Sequence, residues 1–223
     1  MLVEEVGLRP DWALADMGSG TGILSEVFLK KGNTIYGIEP NREMRLAAEQ
    51  LLGRYPGFIS VNAPAEATTL PDGKVKGVVV GQAFHWFDGP RAAAEFRRIC
   101  GPGGFTALIW NARDTTASPL MAEYERILHE YGTDFARSGK EFVPEDRLRE
   151  LFGPSLHLRT LKNFQEHDWD GLRGRLLSAS YIPLTGAPRF DEMMITLRKA
   201  FDQNQRAGKI RMEYETRIYI ASP

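Results

Sequence analysis

The chain has 223 residues, 43% of them hydrophobic, which is enough to bury the core of one α/β domain. Lys and Arg total 28 against 29 Asp and Glu, so no net basic field exists to attract a nucleic-acid backbone or an anionic membrane, and neither is expected as a partner. Cys100 is the only cysteine, which excludes an intrachain disulfide and suits a reducing compartment, the cytoplasm. Met1 to Pro10 lacks the charged-then-apolar pattern of a signal peptide, and no apolar run reaches membrane-spanning length.

In chain order, Trp12 to Ala15, Thr34 to Ile38, Phe58 to Val61, Gly77 to Val80 and Phe105 to Trp110 are apolar runs bounded by acids or glycines, the pattern of buried strands. Helix spacing lies between them over Thr21 to Lys31, Asn41 to Gly53 and Asp88 to Cys100, with Asn41 and Asp88 as N-caps and Gly32, Gly53 and Gly101 as stops. Alternation of strand and helix predicts a parallel sheet with right-handed crossovers and helices on both faces. Beyond Asn111 the pattern turns helical over Ser118 to Arg137 and Pro144 to Phe152, a cover for the sheet edge. Leu156 to Phe164 and the alternating Ile210 to Ile220 then read as late strands, separated by helices around Leu172 to Ala179 and Phe190 to Gln205. No linker or repeat interrupts the chain, so a single domain 1–223 is expected. Within it, 1–116 would be the cofactor-binding half, 117–206 a helical insertion on the substrate side and 207–223 the last strand.

Asp16-Met17-Gly18-Ser19-Gly20-Thr21-Gly22 joins the first strand to the first helix. Glycines at such a turn let a ligand approach the main chain where a Cβ would collide. Glu39 ends the second strand, where a carboxylate can accept hydrogen bonds from both hydroxyls of a ribose. Together these residues point to an adenosine-containing ligand. A nicotinamide dinucleotide needs glycine or alanine where Ile23 stands, which disfavours an oxidoreductase. No Gly-Lys-Ser/Thr of a phosphate loop follows, and Asp16 would repel phosphate but attract an ammonium group.

The motifs Ala15 to Gly22, Gly37-Ile38-Glu39-Pro40-Asn41, Ala65-Glu66, Gln82-Ala83-Phe84-His85-Trp86-Phe87 and Pro102-Gly103-Gly104 resemble those of class I methyltransferases, in the same order. The likeness covers residues 15 to 110 and is strongest to small-molecule enzymes of the trans-aconitate methyltransferase-like, type 11-like branch. It implies a Rossmann-like α/β fold, an open sheet of mostly parallel strands with helices on both faces and an antiparallel C-terminal strand. S-adenosyl-L-methionine would be the cofactor and a small molecule the methyl acceptor, at an oxygen or a carboxylate. By the same resemblance Asp16, Gly18, Ser19, Gly20, Thr21 and Gly22 would meet the methionyl part, and Glu39 the ribose. Pro40 and Met44 would flank the adenine, Ala65 and Glu66 would sit by its amino group, and Gln82 would line the cofactor. Relatives carry further residues ahead of the first strand that close over the site; with Met1 to Leu8 alone in that place, the site is expected to be open and turnover to suffer more than cofactor affinity. A homodimer would be one source of cover. A non-catalytic cofactor-binding module is the alternative of a different class.

His85 stands beside the expected methyl group, as a general base or as part of an aromatic cluster with Trp86 and Phe87 that shapes the acceptor pocket. Trp110 and Arg113 follow the fifth strand on the carboxyl side of the sheet, and Tyr181 closes the segment from Ser178 to Pro183. All three are candidate acceptor contacts, Arg113 for an acidic acceptor or as a plain surface charge. Clustered metal ligands are missing, so no metal is expected.

Overall fold

The structure is a computed structural model in which residues 1–133, 143–179 and 181–222 are described. Residues 134–137, the end of the long helix expected from Ser118, therefore lie outside the described residues, as does Ser180.

Five strands run in the expected places: β1 (Ala13–Met17), β2 (Thr34–Ile38), β3 (Phe58–Val61), β4 (Gly77–Gly81) and β5 (Phe105–Arg113). Later come β6 (His157–His167) and β7 (Ile210–Ala221), and the sheet order is β3-β2-β1-β4-β5-β7-β6. The pairs β1–β2, β1–β4, β2–β3 and β4–β5 are parallel. The last strand is antiparallel: Asn111 on β5 bonds Thr216 on β7 while Asp114, three residues further on, bonds Glu213, three residues back.

Alternation along the parallel strands sends side chains to two separate apolar clusters. Ala15, Met17, Val78 and Val80 join Phe96 and Ile99 of helix α4 (Gly89–Cys100) on one face. Leu14, Ile35 and Val79 join Phe28 and Leu29 of α2 (Ile23–Leu29) on the other, together with partly buried Leu2 and Val6 of α1 (Leu2–Val6). This two-faced burial is why the strands read as continuous apolar runs. Helix α3 (Arg42–Leu52) is capped by Asn41, whose side chain accepts from the Glu43 and Met44 amides, and α4 by Asp88, which accepts from the Arg91 amide.

The chain forms two compact units: Met1–Trp110, Phe142–Arg159 and Arg217–Pro223 in the first, Asn111–Glu141 and Thr160–Thr216 in the second. In the second, α5 (Pro119–Tyr131) packs on the helix Phe190–Asn204 through a core that includes Tyr124, Ile127, Leu128, Met193, Leu197 and Phe201. No helix among the described residues is long and apolar enough to cross a membrane.

β1 has β2 on one side and β4 on the other, so the strand order reverses at β1. In α/β sheets the crevice beyond the carboxyl ends of strands at such a reversal is where ligands bind. The register aligns Asp16 with Gly37 and Val79, bringing the loops after β1, β2 and β4 to that crevice.

Candidate active site

The loop after β1 is held to β2 by its own backbone: the Gly18 and Ser19 amides donate to the Ile38 carbonyl at 2.9 and 3.1 Å. Gly18, Gly20 and Gly22 all have positive φ, at 63°, 56° and 86°, which an L side chain adopts only with strain. Their surroundings differ. A Cβ on Gly18 would stand 2.8 Å from Ala83 Cβ and one on Gly22 would stand 2.3 Å from Leu52 Cδ1, so both are packing positions. A Cβ on Gly20 would meet nothing nearer than Met44 Sδ at 4.0 Å.

Glu39, 7% exposed at the end of β2, bridges the loop to α3. Its Oε2 accepts from the Gly20 amide at 3.0 Å and its Oε1 from the Asn41 amide at 2.8 Å. Each carboxylate oxygen keeps further acceptor capacity, so the group can take additional donors. Pro40 and Met44 are exposed beside it, and Arg45 Nη1 donates to the Glu39 carbonyl at 3.1 Å and to Asn62 Oδ1 at 3.1 Å.

Asp16 is 1% exposed, and its Oδ2 accepts from Ser25 Oγ at 2.7 Å. Burial, and to a lesser extent the nearby Glu39 charge, raise its pKa to about 7, against the pull of the Ser25 bonds. A carboxyl so placed is about half ionised at neutral pH, and a cation beside it would favour the charged form. It also makes the folded state the better proton binder between the ordinary aspartate pKa of about 4 and the raised value of about 7, so stability falls as pH rises through that window and levels above it. Asp16→Asn, which still accepts from Ser25, is expected to remove this loss. The variant should gain a few kcal/mol over the parent at neutral pH and little near pH 4, read from thermal unfolding across pH. A constant difference across the range would contradict the buried-acid assignment.

Ala65 is buried in the core of the first unit, and Glu66 Oε1 accepts from the Asp88 amide at 2.8 Å, tying the loop after β3 to the start of α4. Gln82 follows β4 in the left-handed region, φ 57°, with its amide donating to the Ile109 carbonyl at 2.9 Å. A non-glycine residue held there marks stored backbone strain, which concentrates at functional sites. His85 and Trp86 lie in the 3-10 turn Phe84–Trp86 that follows, their ring centroids 4.8 Å apart. The aromatic cluster of this region consists of Phe84, Phe87, Phe96 and Phe152, while Trp86 remains 79% exposed. Trp110 is 1% exposed and packs edge-to-face on Tyr219 at 5.8 Å, a core position. Arg113 and Tyr181 belong to the second unit, where Arg113 Nε pairs with Glu125 Oε2 at 3.1 Å and the Tyr181 carbonyl accepts from the Thr133 amide at 2.9 Å. Groups of three or more potential metal ligands are not found among the described residues.

Residues 15–108 match the methyltransferase domain family. Over 111 residues the chain is 35% identical to an uncharacterized methyltransferase of Mycobacterium tuberculosis, covering 47% of this chain and 44% of that one. A solved structure from Anaeromyxobacter dehalogenans, assigned as a type II methyltransferase, superposes with a TM-score of 0.71 at 25% identity, covering 97% of this chain and 92% of the other. Over residues 15–108, then, the chain carries a methyltransferase domain, of the S-adenosylmethionine-dependent kind. It spans less than half the length of the mycobacterial relative. An uncharacterized methyltransferase of Schizosaccharomyces pombe is 30% identical over 128 residues, 57% of this chain and 49% of that one. The fold is shared with the geranyl diphosphate C-methyltransferase of Streptomyces coelicolor, solved with S-adenosyl-L-homocysteine, at a TM-score of 0.54 and 15% identity over 99% of this chain and 74% of that one.

Two features of this methyltransferase domain escaped the sequence reading. Ser25 is the buried partner of Asp16, nine residues along the chain in α2, where the only signal was a small polar residue on an apolar helix face. Phe87 packs beneath Gly18, with its Cζ 3.1 Å from the position a Cβ would take.

Proposed function

We propose that the protein transfers a methyl group from S-adenosylmethionine to an oxygen, a carboxylate oxygen included, of a small-molecule acceptor in the cytoplasm. The observation that carries this reading is the pairing of Glu39 with Gly20: an acid with spare acceptor capacity fixed against a glycine whose Cβ position is open. That combination suits a ribose lying along the main chain, with the buried Asp16 carboxyl suited to an amino acid's ammonium group. S-adenosylmethionine, when bound, supplies an electrophilic methyl group on a sulfonium centre.

In this assignment Gly18, Ser19, Gly20, Thr21 and Gly22 line the methionyl part, Pro40 and Met44 flank the adenine, Ala65 and Glu66 lie by its amino group, and Gln82 borders the cofactor. The chain's contribution is chiefly orientation, which can lower a bimolecular barrier by roughly 7–11 kcal/mol. A carboxylate acceptor has no proton to lose, so His85 and Trp86 would then shape the acceptor site. A hydroxyl acceptor would call on His85 as base, an effect of about 10²–10⁴ in rate. The reading does not draw on Arg113 or Tyr181.

Incubation with methyl-labelled S-adenosylmethionine and a pool of small acids and alcohols is expected to yield a labelled product. Binding of S-adenosylhomocysteine with no turnover on any acceptor would instead favour a non-catalytic module. His85→Ala is expected to leave S-adenosylhomocysteine affinity within a few fold by calorimetry, and its effect on turnover sorts the acceptors into those that lose a proton and those that do not. A loss of affinity as large as that of Glu39→Ala would refute the placement of His85 on the acceptor side.

A further inference from the structure

Strand β6 is the outer strand of the sheet, and Arg159 to Glu166 on it are all exposed, Leu161 and Phe164 by 46% and 48%. A sheet edge offers a row of backbone donors and acceptors, and natural edges are guarded by short length, charged side chains, proline or bulges. β6 is 11 residues long and contains no proline, and its exposed charges, Arg159, Lys162 and Glu166, differ in sign along its length, so a second β6 can complement them where any other strand would meet a guarded edge. The Phe164 amide donates to Asn163 Oδ1 at 2.7 Å, a bond local to the strand. Main-chain groups alternate between the two sides of an antiparallel strand, so every second residue of β6 turns its pair outward.

We infer that β6 is a self-association surface, occupied by the β6 of a second copy of this chain in antiparallel pairing. A two-fold axis normal to the sheet places each residue opposite one of the same parity, because only those project to the same face. Centred on Lys162, such a pair would set lysine against lysine. Centred on Asn163, it would leave Lys162 opposite the partner's Phe164 and Glu166 opposite the partner's Thr160, with no charge matched. Centred on Phe164, it sets Lys162 opposite the partner's Glu166 and Asn163 opposite the partner's Gln165, each twice by symmetry, with the two Phe164 rings meeting at the axis. Opposite charges facing across strands stabilise and like charges destabilise, which selects this register. Arg211 lies 3.7 Å from the Phe164 ring centroid and holds that ring in place.

Sedimentation at micromolar concentration is expected to show the parent protein as a dimer. Lys162→Glu and Glu166→Lys should each weaken it about tenfold, since each creates two like-charge pairs, and the two together should restore it. All of these side chains are exposed, so folding is not at stake. The only native cysteine, Cys100, is buried, so Phe164→Cys introduces a single accessible thiol at the axis and should oxidise to a covalent dimer on a non-reducing gel. A parent protein that sediments as a monomer, a dimer indifferent to both charge reversals, or a Phe164→Cys variant that does not cross-link would each overturn the assignment.

Discussion

Glu39→Ala is expected to weaken S-adenosylhomocysteine binding at least about tenfold, because two hydrogen bonds to a charged acceptor are lost, each worth about 1.5–3 kcal/mol. The same change leaves the Gly20 and Asn41 amides without their acceptor, so the loop loses its tie to α3 as well as its ligand contact. Glu39→Gln should not rescue binding. Both carboxylate oxygens accept from amides in the parent, and a carboxamide offers one acceptor and one donor, so one N–H would face an NH₂ group. Calorimetry on variants shown by circular dichroism to be folded decides the matter. Unchanged affinity would remove Glu39 from the ribose and with it the main support for the proposed donor.

The parts of the fold that were legible before the structure are those whose physics is local. β2 and β3 begin and end at the residues expected, because each is a short, mostly apolar run whose neighbours in sequence are polar or glycine. Asn41 and Asp88 act as caps since a short polar side chain ahead of a helix has one favourable use, accepting from amides two or three residues on. The glycine loop and Glu39 were legible because their chemistry is tied to a fixed distance along a βαβ unit.

Where the reading fell short, the determining contact was distant in sequence or the strand boundary shifted. Trp110 looked like the last residue of a strand with its ring at the crevice. β5 in fact continues to Arg113, and alternation then turns Trp110 into the core against Tyr219, a residue more than a hundred positions away. Gln82 carries no sequence mark of its left-handed backbone, found where its amide bonds Ile109, a residue distant in sequence. The second compact unit likewise gave no linker signal where it meets the sheet, since three of its four boundaries fall inside β5, β6 and β7 and not in a polar connection.

The glycines of the loop offer the last test, because Gly18→Ala and Gly20→Ala are equal changes in sequence with opposite expected readouts. Both place an L side chain at positive φ, which costs roughly 1–2 kcal/mol. At Gly18 the new methyl would also stand 2.8 Å from Ala83 Cβ and 3.1 Å from Phe87 Cζ. Ala83 Cβ is fixed to its own backbone and cannot swing aside, so overpacking adds roughly 1–3 kcal/mol and the variant should unfold several degrees lower. At Gly20 the methyl meets no protein atom closer than Met44 Sδ at 4.0 Å, so stability should fall by the backbone strain alone. The same methyl occupies the space assigned to the ligand, and S-adenosylhomocysteine affinity should fall at least about tenfold, a difference of about 1.4 kcal/mol. Urea unfolding and calorimetry on the two variants separate the roles. Equal losses of stability would mean that the loop packs the same way at both glycines, and normal binding by Gly20→Ala would move the ligand off the loop altogether.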